Sequence, residues 1–87
     1  MDTDVAIVGL GRVGLPLALT FADRGLSVLG VDIAADRLDT LRDRRLPFEE
    51  PGAAELLQRV DLDLSDRVAD AARARAIVLT VRSAMEP

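Results

Sequence analysis

Short apolar runs alternate along the chain with segments whose apolar residues recur at helical spacing. A nearly continuous apolar run is typical of a parallel strand covered on both faces, whereas the other spacing is typical of helices that pack one face on a sheet. The predicted strands are 5–8, 26–31, 61–64 and 76–81. The predicted helices are 13–24, 34–44, 53–59 and 66–74, with Ser65 as the N-cap of the last. The pattern therefore predicts an α/β chain.

The alternation of strands and helices predicts a Rossmann-type parallel sheet with flanking helices, because crossovers between parallel strands are right-handed. In the usual doubly wound order the fourth strand lies beside the first, and two further strands follow it. The chain stops before those strands, so we expect a sheet that is truncated after its fourth strand. The apolar fourth strand would then lie on an open edge, which predicts self-association into a homo-oligomer.

A glycine-rich turn follows the first strand, with the spacing G-x-G-x-x-G at Gly9, Gly11 and Gly14, and the second strand ends on Asp32. Strand, glycine turn, helix, strand and acid in this order form the fingerprint of a dinucleotide-binding βαβ unit. Gly9 lets the chain turn, Gly11 admits a diphosphate close to the backbone, and Gly14 lets the helix pack tightly. Pro16 fits this interpretation, because an amide in the first helical turn has no partner to lose.

Two charged side chains follow the second strand. A carboxylate at Asp32 is suited to accept hydrogen bonds from the adenosine ribose and to repel a 2′-phosphate, which favours NAD over NADP as the cofactor. Arg37 lies about one helical turn further on, where it can reach the ribose and the diphosphate. The positive end of the first helix favours the diphosphate itself. These features together predict a nucleotide-binding protein.

Composition narrows the class of protein. The 87 residues carry a net charge of −4, so the basic surface that nucleic acid requires is not expected. Cys and His are absent from the sequence, so we expect no disulfide, no metal site and no catalytic residue of the thiolate or imidazole kind. No apolar run approaches the roughly 20 residues of a membrane span. The acidic N-terminus is unlike a signal peptide, so we expect a cytoplasmic protein whose residues 1–87 form one domain.

The segment 45–52 reads as a loop, because two prolines interrupt it. Glu49 and Glu50 are adjacent carboxylates, a pattern that acid–base chemistry can use. Acids beside a proline more often cap a following helix, where they favour its positive end. We therefore expect these two residues to cap the helix 53–59 rather than to act in catalysis.

Motifs beyond the glycine spacing make the prediction more specific. The glycine turn continues as Leu15-Pro16-Leu17-Ala18, and the second strand ends as Gly30-Val31-Asp32-Ile33. Further along the chain stand Glu50-Pro51-Gly52, Glu55-Leu56-Leu57 and Ile77-Val78-Leu79-Thr80-Val81. Through these motifs nearly the whole chain resembles the NAD-dependent nucleotide-sugar dehydrogenases, which include UDP-glucose, GDP-mannose and UDP-N-acetylmannosamine dehydrogenases.

The resemblance implies an enzyme of polysaccharide biosynthesis that oxidises the C6 alcohol of a nucleotide sugar to a carboxylate, with two successive hydride transfers to NAD. The implied cofactor positions are Gly9, Leu10, Gly11, Arg12, Val13 and Gly14 at the pyrophosphate, Asp32 and Arg37 at the adenosine end, and Val81 and Ser83 under the ribose and nicotinamide. The family's catalytic thiol, lysine and asparagine have no counterpart in this sequence. The resemblance therefore implies the NAD-binding portion of such an enzyme, inactive alone, with the nucleotide-sugar substrate bound by the missing portion.

Two positions depart from the family pattern. Arg12 stands where the family often has Tyr, and Ser83-Ala84 stands where it usually has Thr-Pro. One alternative, supported by the second departure, is a non-catalytic or degenerate nucleotide-binding module. Another is the cofactor domain of a β-hydroxyacid dehydrogenase, which opens with a similar glycine turn. The motif Leu15-Pro16-Leu17-Ala18 argues against the latter.

Overall fold

The computed structural model describes residues 3–80 of the chain. Its strands are β1 (Thr3–Val8), β2 (Val28–Val31), β3 (Asp63–Ser65) and β4 (Ala74–Leu79). Its α-helices are α1 (Gly14–Asp23), α2 (Ala35–Arg42) and α3 (Ala53–Arg59), and a 3₁₀ helix spans Val68–Arg73. The described residues contain no helix that combines the length and apolarity needed to cross a membrane. Nor do they hold three His, Cys, Asp or Glu side chains grouped to bind a metal ion.

The four strands form one parallel sheet in the order β3-β2-β1-β4, so the predicted α/β class and the place of the fourth strand beside the first are confirmed. Val8, the last residue of β1, pairs with Val31 on one side and Leu79 on the other. The carboxyl ends of the three strands therefore lie together. Gly9, Asp32 and Thr80 each follow one of these ends, which gathers a turn glycine, an acid and a hydroxyl at one edge.

The central strand β1 is buried on both faces because its side chains alternate between two apolar clusters. Val5 and Ile7 pack in the larger cluster, with residues of α1, α2 and α3. Ala6 and Val8 pack in a smaller cluster with Ala71 of the 3₁₀ helix. The sheet is thus covered thickly on one face and thinly on the other.

Several predicted boundaries move in the structure. β2 begins at Val28 rather than at residue 26, because the amides of Gly25 and Leu26 donate to carbonyls of the last turn of α1 and end that helix. The predicted helix 66–74 is a 3₁₀ helix, and Ser65 is the last residue of β3 rather than a helix N-cap. The Ser65 hydroxyl instead accepts from the Arg67 amide at 3.0 Å and donates to Asp70 Oδ2 at 2.6 Å. This local turn takes the place of a first α-helical turn.

The helix caps correct one further prediction. Glu49 and Glu50 were expected to cap α3, but the N-cap is Gly52, at φ +80°, and α3 has no side-chain cap hydrogen bond. Glu50 contributes only its backbone carbonyl, which accepts from the Ala53 amide at 3.1 Å. The acid in the first turn of the helix is Glu55. The N-cap position of α3 is therefore occupied by a left-handed glycine and not by either carboxylate.

Arg44 joins the ends of two helices. Its backbone lies in the left-handed region at φ +60°, just after α2. Its Nη1 donates to the carbonyls of Leu57 at 2.7 Å and Val60 at 2.6 Å, and its Nη2 pairs with Asp61 at 2.8 Å. Carbonyls at the end of a helix have no partner within the helix, so a guanidinium there satisfies groups that would otherwise need water. These contacts of the Arg44 side chain offset the energetic cost of its left-handed backbone.

We expect Arg44→Ala to lower the free energy of unfolding by about 1–2 kcal/mol, because it removes charge-assisted hydrogen bonds and leaves the left-handed backbone in place. Urea denaturation followed by circular dichroism measures the loss. Arg45→Ala is the matched control. Arg45 pairs with Asp43 at 3.5 Å on an exposed surface, so its loss should cost less than about 0.5 kcal/mol. Equal effects of the two substitutions would contradict the role given to Arg44.

Candidate dinucleotide site

A cleft of about 810 Å³ opens at the carboxyl edge of the sheet. Of the residues predicted as cofactor contacts, six line it: Gly9, Gly11, Arg12, Val13, Asp32 and Arg37. Leu10 and Gly14 are buried beside it and do not line it. Val81 and Ser83 lie outside the described residues. The fold thus brings the glycine turn, defined here as residues 9–14, together with the acid of β2 and the arginine of α2.

The three glycines of the turn stand in different surroundings. Gly9 has φ +100°, a conformation that residues with a Cβ rarely adopt. At Gly14 an added Cβ would overlap the Gly9 carbonyl oxygen and lie 2.5 Å from Thr80 Oγ1, so this position holds α1 tightly against the turn. At Gly11 an added Cβ would meet only Arg37 Nη1, at 3.9 Å. Gly11 therefore faces the cleft, where the lack of a side chain leaves backbone accessible.

The start of α1 points into the same cleft. The helix begins at Gly14 with Val13 as its N-cap, and Val13 is exposed on the cleft wall. Pro16 lies in the first turn, as the sequence predicts, where its missing N–H costs nothing. The first amides of a helix carry a partial positive charge and have no partner within the helix. The arrangement suits an anion at the mouth of α1.

Asp32 is only 7% exposed, and its carboxylate accepts three hydrogen bonds. Oδ2 accepts from the Leu10 amide at 2.8 Å and from Arg37 Nη1 at 3.1 Å, and Oδ1 accepts from the Ala34 amide at 2.8 Å. Burial raises the pKa of this carboxyl, but the two amides and the Arg37 guanidinium outweigh burial and hold the pKa below its usual value. The ionised acid thus ties the glycine turn to the start of α2.

The free energy of unfolding should depend on pH in the acidic range because of Asp32. Because its pKa is lower in the folded chain than the usual value of 3.8, its ionised form stabilises the fold above that pH and the contribution disappears as pH falls through the lowered pKa. We expect Asp32→Asn to be less stable than the unchanged protein at pH 7, with the difference shrinking below about pH 4. Urea denaturation from pH 7 to pH 3 measures it. A difference that stays constant over this range would contradict the assignment.

Thr80 is a site residue that the sequence did not single out. Its amide donates to the Val8 carbonyl at 2.9 Å, and its hydroxyl donates to the Gly9 carbonyl at 2.6 Å. These contacts fasten the end of β4 to the glycine turn and leave Thr80 on the cleft wall. In the sequence Thr80 appears only as the hydroxyl within the apolar run 77–81. Its partner lies at the other end of the chain.

Two apolar side chains on the cleft wall were also missed. Ile33 directly follows the acid and is 82% exposed, and Val68 at the start of the 3₁₀ helix is 53% exposed. Such exposure of large aliphatic side chains at a cleft is typical of a surface that binds a flat apolar ring. Val68 could not be predicted, since its place depends on how the chain between β3 and β4 returns across the edge.

The loop between α2 and α3 supplies the remaining wall, through Pro47 and Phe48. The guanidinium carbon of Arg12 lies 4.9 Å from the centroid of the Phe48 ring. This distance is within the range of a cation–π contact. The contact joins the glycine turn to the loop across one end of the cleft.

Comparison with known proteins gives one consistent family. A model described as the NAD-binding domain of the UDP-glucose/GDP-mannose dehydrogenase family matches residues 3–84. The chain is 43% identical over 56 residues to a UDP-glucose 6-dehydrogenase of Haloferax volcanii, covering 64% of this chain and 13% of that protein. It is 42% identical over 55 residues to a GDP-mannose 6-dehydrogenase of Pseudomonas syringae pv. tomato, covering 63% of this chain and 13% of that protein.

Solved structures agree with the sequence comparison. A GDP-mannose dehydrogenase of Pseudomonas aeruginosa, solved as a ternary complex, superposes with a TM-score of 0.84 at 29% identity, covering 94% of this chain and 20% of that one. A UDP-glucose dehydrogenase from Pyrobaculum islandicum superposes with a TM-score of 0.85 at 30% identity, covering 93% of this chain and 20% of that one. The chain therefore spans a small part of the length of each relative it matches.

Proposed function

Because this chain belongs to the UDP-glucose/GDP-mannose dehydrogenase family and matches the NAD-binding domain of that family, we propose that it is the NAD-binding portion of a nucleotide-sugar 6-dehydrogenase. The fold is of the Rossmann type and the cofactor is NAD. The family match does not support the alternative of a β-hydroxyacid dehydrogenase domain.

The observation that carries the proposal is one cleft that joins the glycine turn to Asp32. We place the diphosphate against Gly11 and the start of α1, where an exposed backbone and the positive end of the helix favour it. We place the adenosine ribose at Asp32, which lines the cleft with its remaining acceptor capacity. The adenine then has Ile33 and Val68 as its apolar neighbours.

NAD, when bound, is the hydride acceptor, and the role of this chain is to bind it. The residues of the cleft orient the adenosine half and shield the diphosphate. The ionised, buried carboxylate of Asp32 disfavours NADP. The 2′-phosphate of NADP would be a second anion competing for the donors that Asp32 already uses. The family's catalytic thiol, lysine and asparagine have no counterpart in this sequence.

For the whole enzyme we propose the activity of the family, oxidation of the C6 alcohol of a nucleotide sugar to a carboxylate with two molecules of NAD. The nucleotide-sugar substrate, a place in polysaccharide biosynthesis, a cytoplasmic location and a homo-oligomeric state belong to the same proposal. The exposed apolar residues of β4, Ile77 and Leu79, support self-association or further strand pairing at that edge. The 87-residue chain alone is proposed to bind NAD without turnover.

Isothermal titration of the 87-residue protein with NAD, NADP and ATP tests the binding proposal. NAD is expected to bind more tightly than the other two ligands, and addition of NAD with UDP-glucose is expected to give no NADH absorbance. Tighter binding of ATP than of NAD would favour a nucleotide-binding module of another kind. Appearance of NADH would contradict the proposed inactivity of the chain.

A further inference from the structure

Arg12 occupies a position that neither the glycine spacing nor the fold requires to be charged. It lies on the glycine turn between Gly11 and the start of α1, with an exposed side chain. The side chain reaches across one end of the cleft to Phe48. Phe48 is partly buried against the core, so the ring is held by the protein. Within residues 3–80 the contact recorded for the Arg12 guanidinium is the one with this ring.

We propose that Arg12 is a side-chain ligand of the bound diphosphate, and that in the empty protein its guanidinium is kept on the face of Phe48. The inference rests on the proposed function, because the diphosphate is that of the bound dinucleotide. It assigns to Arg12 a role that the backbone of the glycine turn does not fill. A guanidinium brings a full positive charge and a planar pair of donors that can bind two phosphate oxygens, whereas the amides at a helix start bring only partial charge.

The relative strengths of the two contacts decide where the guanidinium goes. A cation–π contact at an exposed site changes an equilibrium about two- to fivefold. A hydrogen bond between charged groups changes it about tenfold or more. A diphosphate at Gly11 is therefore the stronger partner, and the cost of leaving Phe48 is small.

Phe48 allows this role to be separated from a structural one. If the contact served to hold the loop in place, removal of either partner would weaken NAD binding alike. If Phe48 competes with the diphosphate for the guanidinium, removal of the ring should leave NAD binding unchanged or tighten it by up to about fivefold. The two roles therefore predict different results for the removal of the ring: weaker NAD binding if the contact is structural, and unchanged or tighter binding if the ring competes.

The experiment uses Arg12→Gln, Arg12→Lys and Phe48→Leu, with NAD titrated by calorimetry at low and high salt. Arg12→Gln is expected to weaken NAD binding about tenfold and to reduce the dependence of the Kd on salt, because one cation no longer meets the diphosphate. Arg12→Lys keeps the charge and should keep the salt dependence. Phe48→Leu keeps apolar packing and should not weaken binding.

Arg12→Gln with a Kd within twofold of the unchanged protein and an unchanged salt dependence would overturn the inference. So would a folded Phe48→Leu variant that loses as much NAD affinity as Arg12→Gln does. The Arg12 variants alone decide the question if Phe48→Leu fails to fold, since Arg12 is exposed. Failure of the unchanged protein to bind NAD would overturn the proposed function first, which keeps the two failures distinguishable.

Discussion

Gly14→Ala is expected to destabilise the protein by about 3 kcal/mol or more, whereas Gly11→Ala is expected to leave it folded and to weaken NAD binding about a hundredfold. The two substitutions add the same methyl group three residues apart. At Gly14 the group would overlap a backbone oxygen of Gly9, which α1 and β1 hold in place. At Gly11 it would meet only Arg37 Nη1, at an ordinary contact distance of 3.9 Å, and the backbone there does not have the positive φ that favours glycine.

Thermal unfolding by circular dichroism and calorimetric titration with NAD measure the two effects on the same samples. A loss of about 3 kcal/mol is a large part of the stability of a small domain, so the Gly14→Ala variant should be partly or fully unfolded at 37 °C. Ala72→Gly serves as the control for a substitution away from the site, since Ala72 is exposed and does not line the cleft. A Gly11→Ala variant that binds NAD normally would show that the diphosphate does not lie against this part of the turn.

Asp32→Ala should weaken NAD binding about ten- to a hundredfold, because a charged acceptor for the ribose is lost. It should weaken NADP binding much less, or strengthen it. Three donors now converge on the carboxylate, namely the amides of Leu10 and Ala34 and the guanidinium of Arg37. Without the resident anion, these groups are suited to donate hydrogen bonds to the 2′-phosphate of NADP. The preference for NAD should therefore shrink or reverse.

Dissociation constants for NAD and NADP in the unchanged protein and in Asp32→Ala measure this change of preference. The matched control is Arg37→Gln in the Asp32→Ala background, which removes the charged donor and should abolish the gain for NADP. Circular dichroism establishes that each variant is folded, since Asp32 also supports the glycine turn. If both ligands lose affinity in parallel in a folded variant, Asp32 acts through the shape of the turn rather than by choosing between ribose groups.

The first half of the fold could be predicted from sequence because its signals are local. β1, the glycine turn, α1 and β2 lie within consecutive residues. Gly9 is favoured by its own positive φ, and Gly14 by the nearby Gly9 carbonyl. The bounds of α3 at Ala53–Arg59 were predicted correctly for the same reason. The second half was predicted less well. The turn that Ser65 makes with Arg67 and Asp70 replaced an expected α-helix, and such short side-chain contacts leave no periodic pattern.

The site shows a similar division. Asp32, Gly9, Gly11 and Arg37 were predicted from spacing, and the fold brings them to one cleft, with Gly14 buried beside it. The hydrogen bond from the Leu10 amide to Asp32 could not be predicted, because it depends on how β2 pairs with β1. Phe48 and Val68 reach the cleft from segments whose paths are set by packing and not by their own residue types.

The hydrogen bond from Thr80 to Gly9 has a consequence for the order of folding. It joins residues near the two ends of the described chain, as does the pairing of β1 with β4. Contacts between distant residues form late, because the loop between them must close first. A chain in which β1, the glycine turn, α1 and β2 have already folded still lacks one side of its nucleotide pocket. We therefore expect ligand binding to begin only when the last strand has docked.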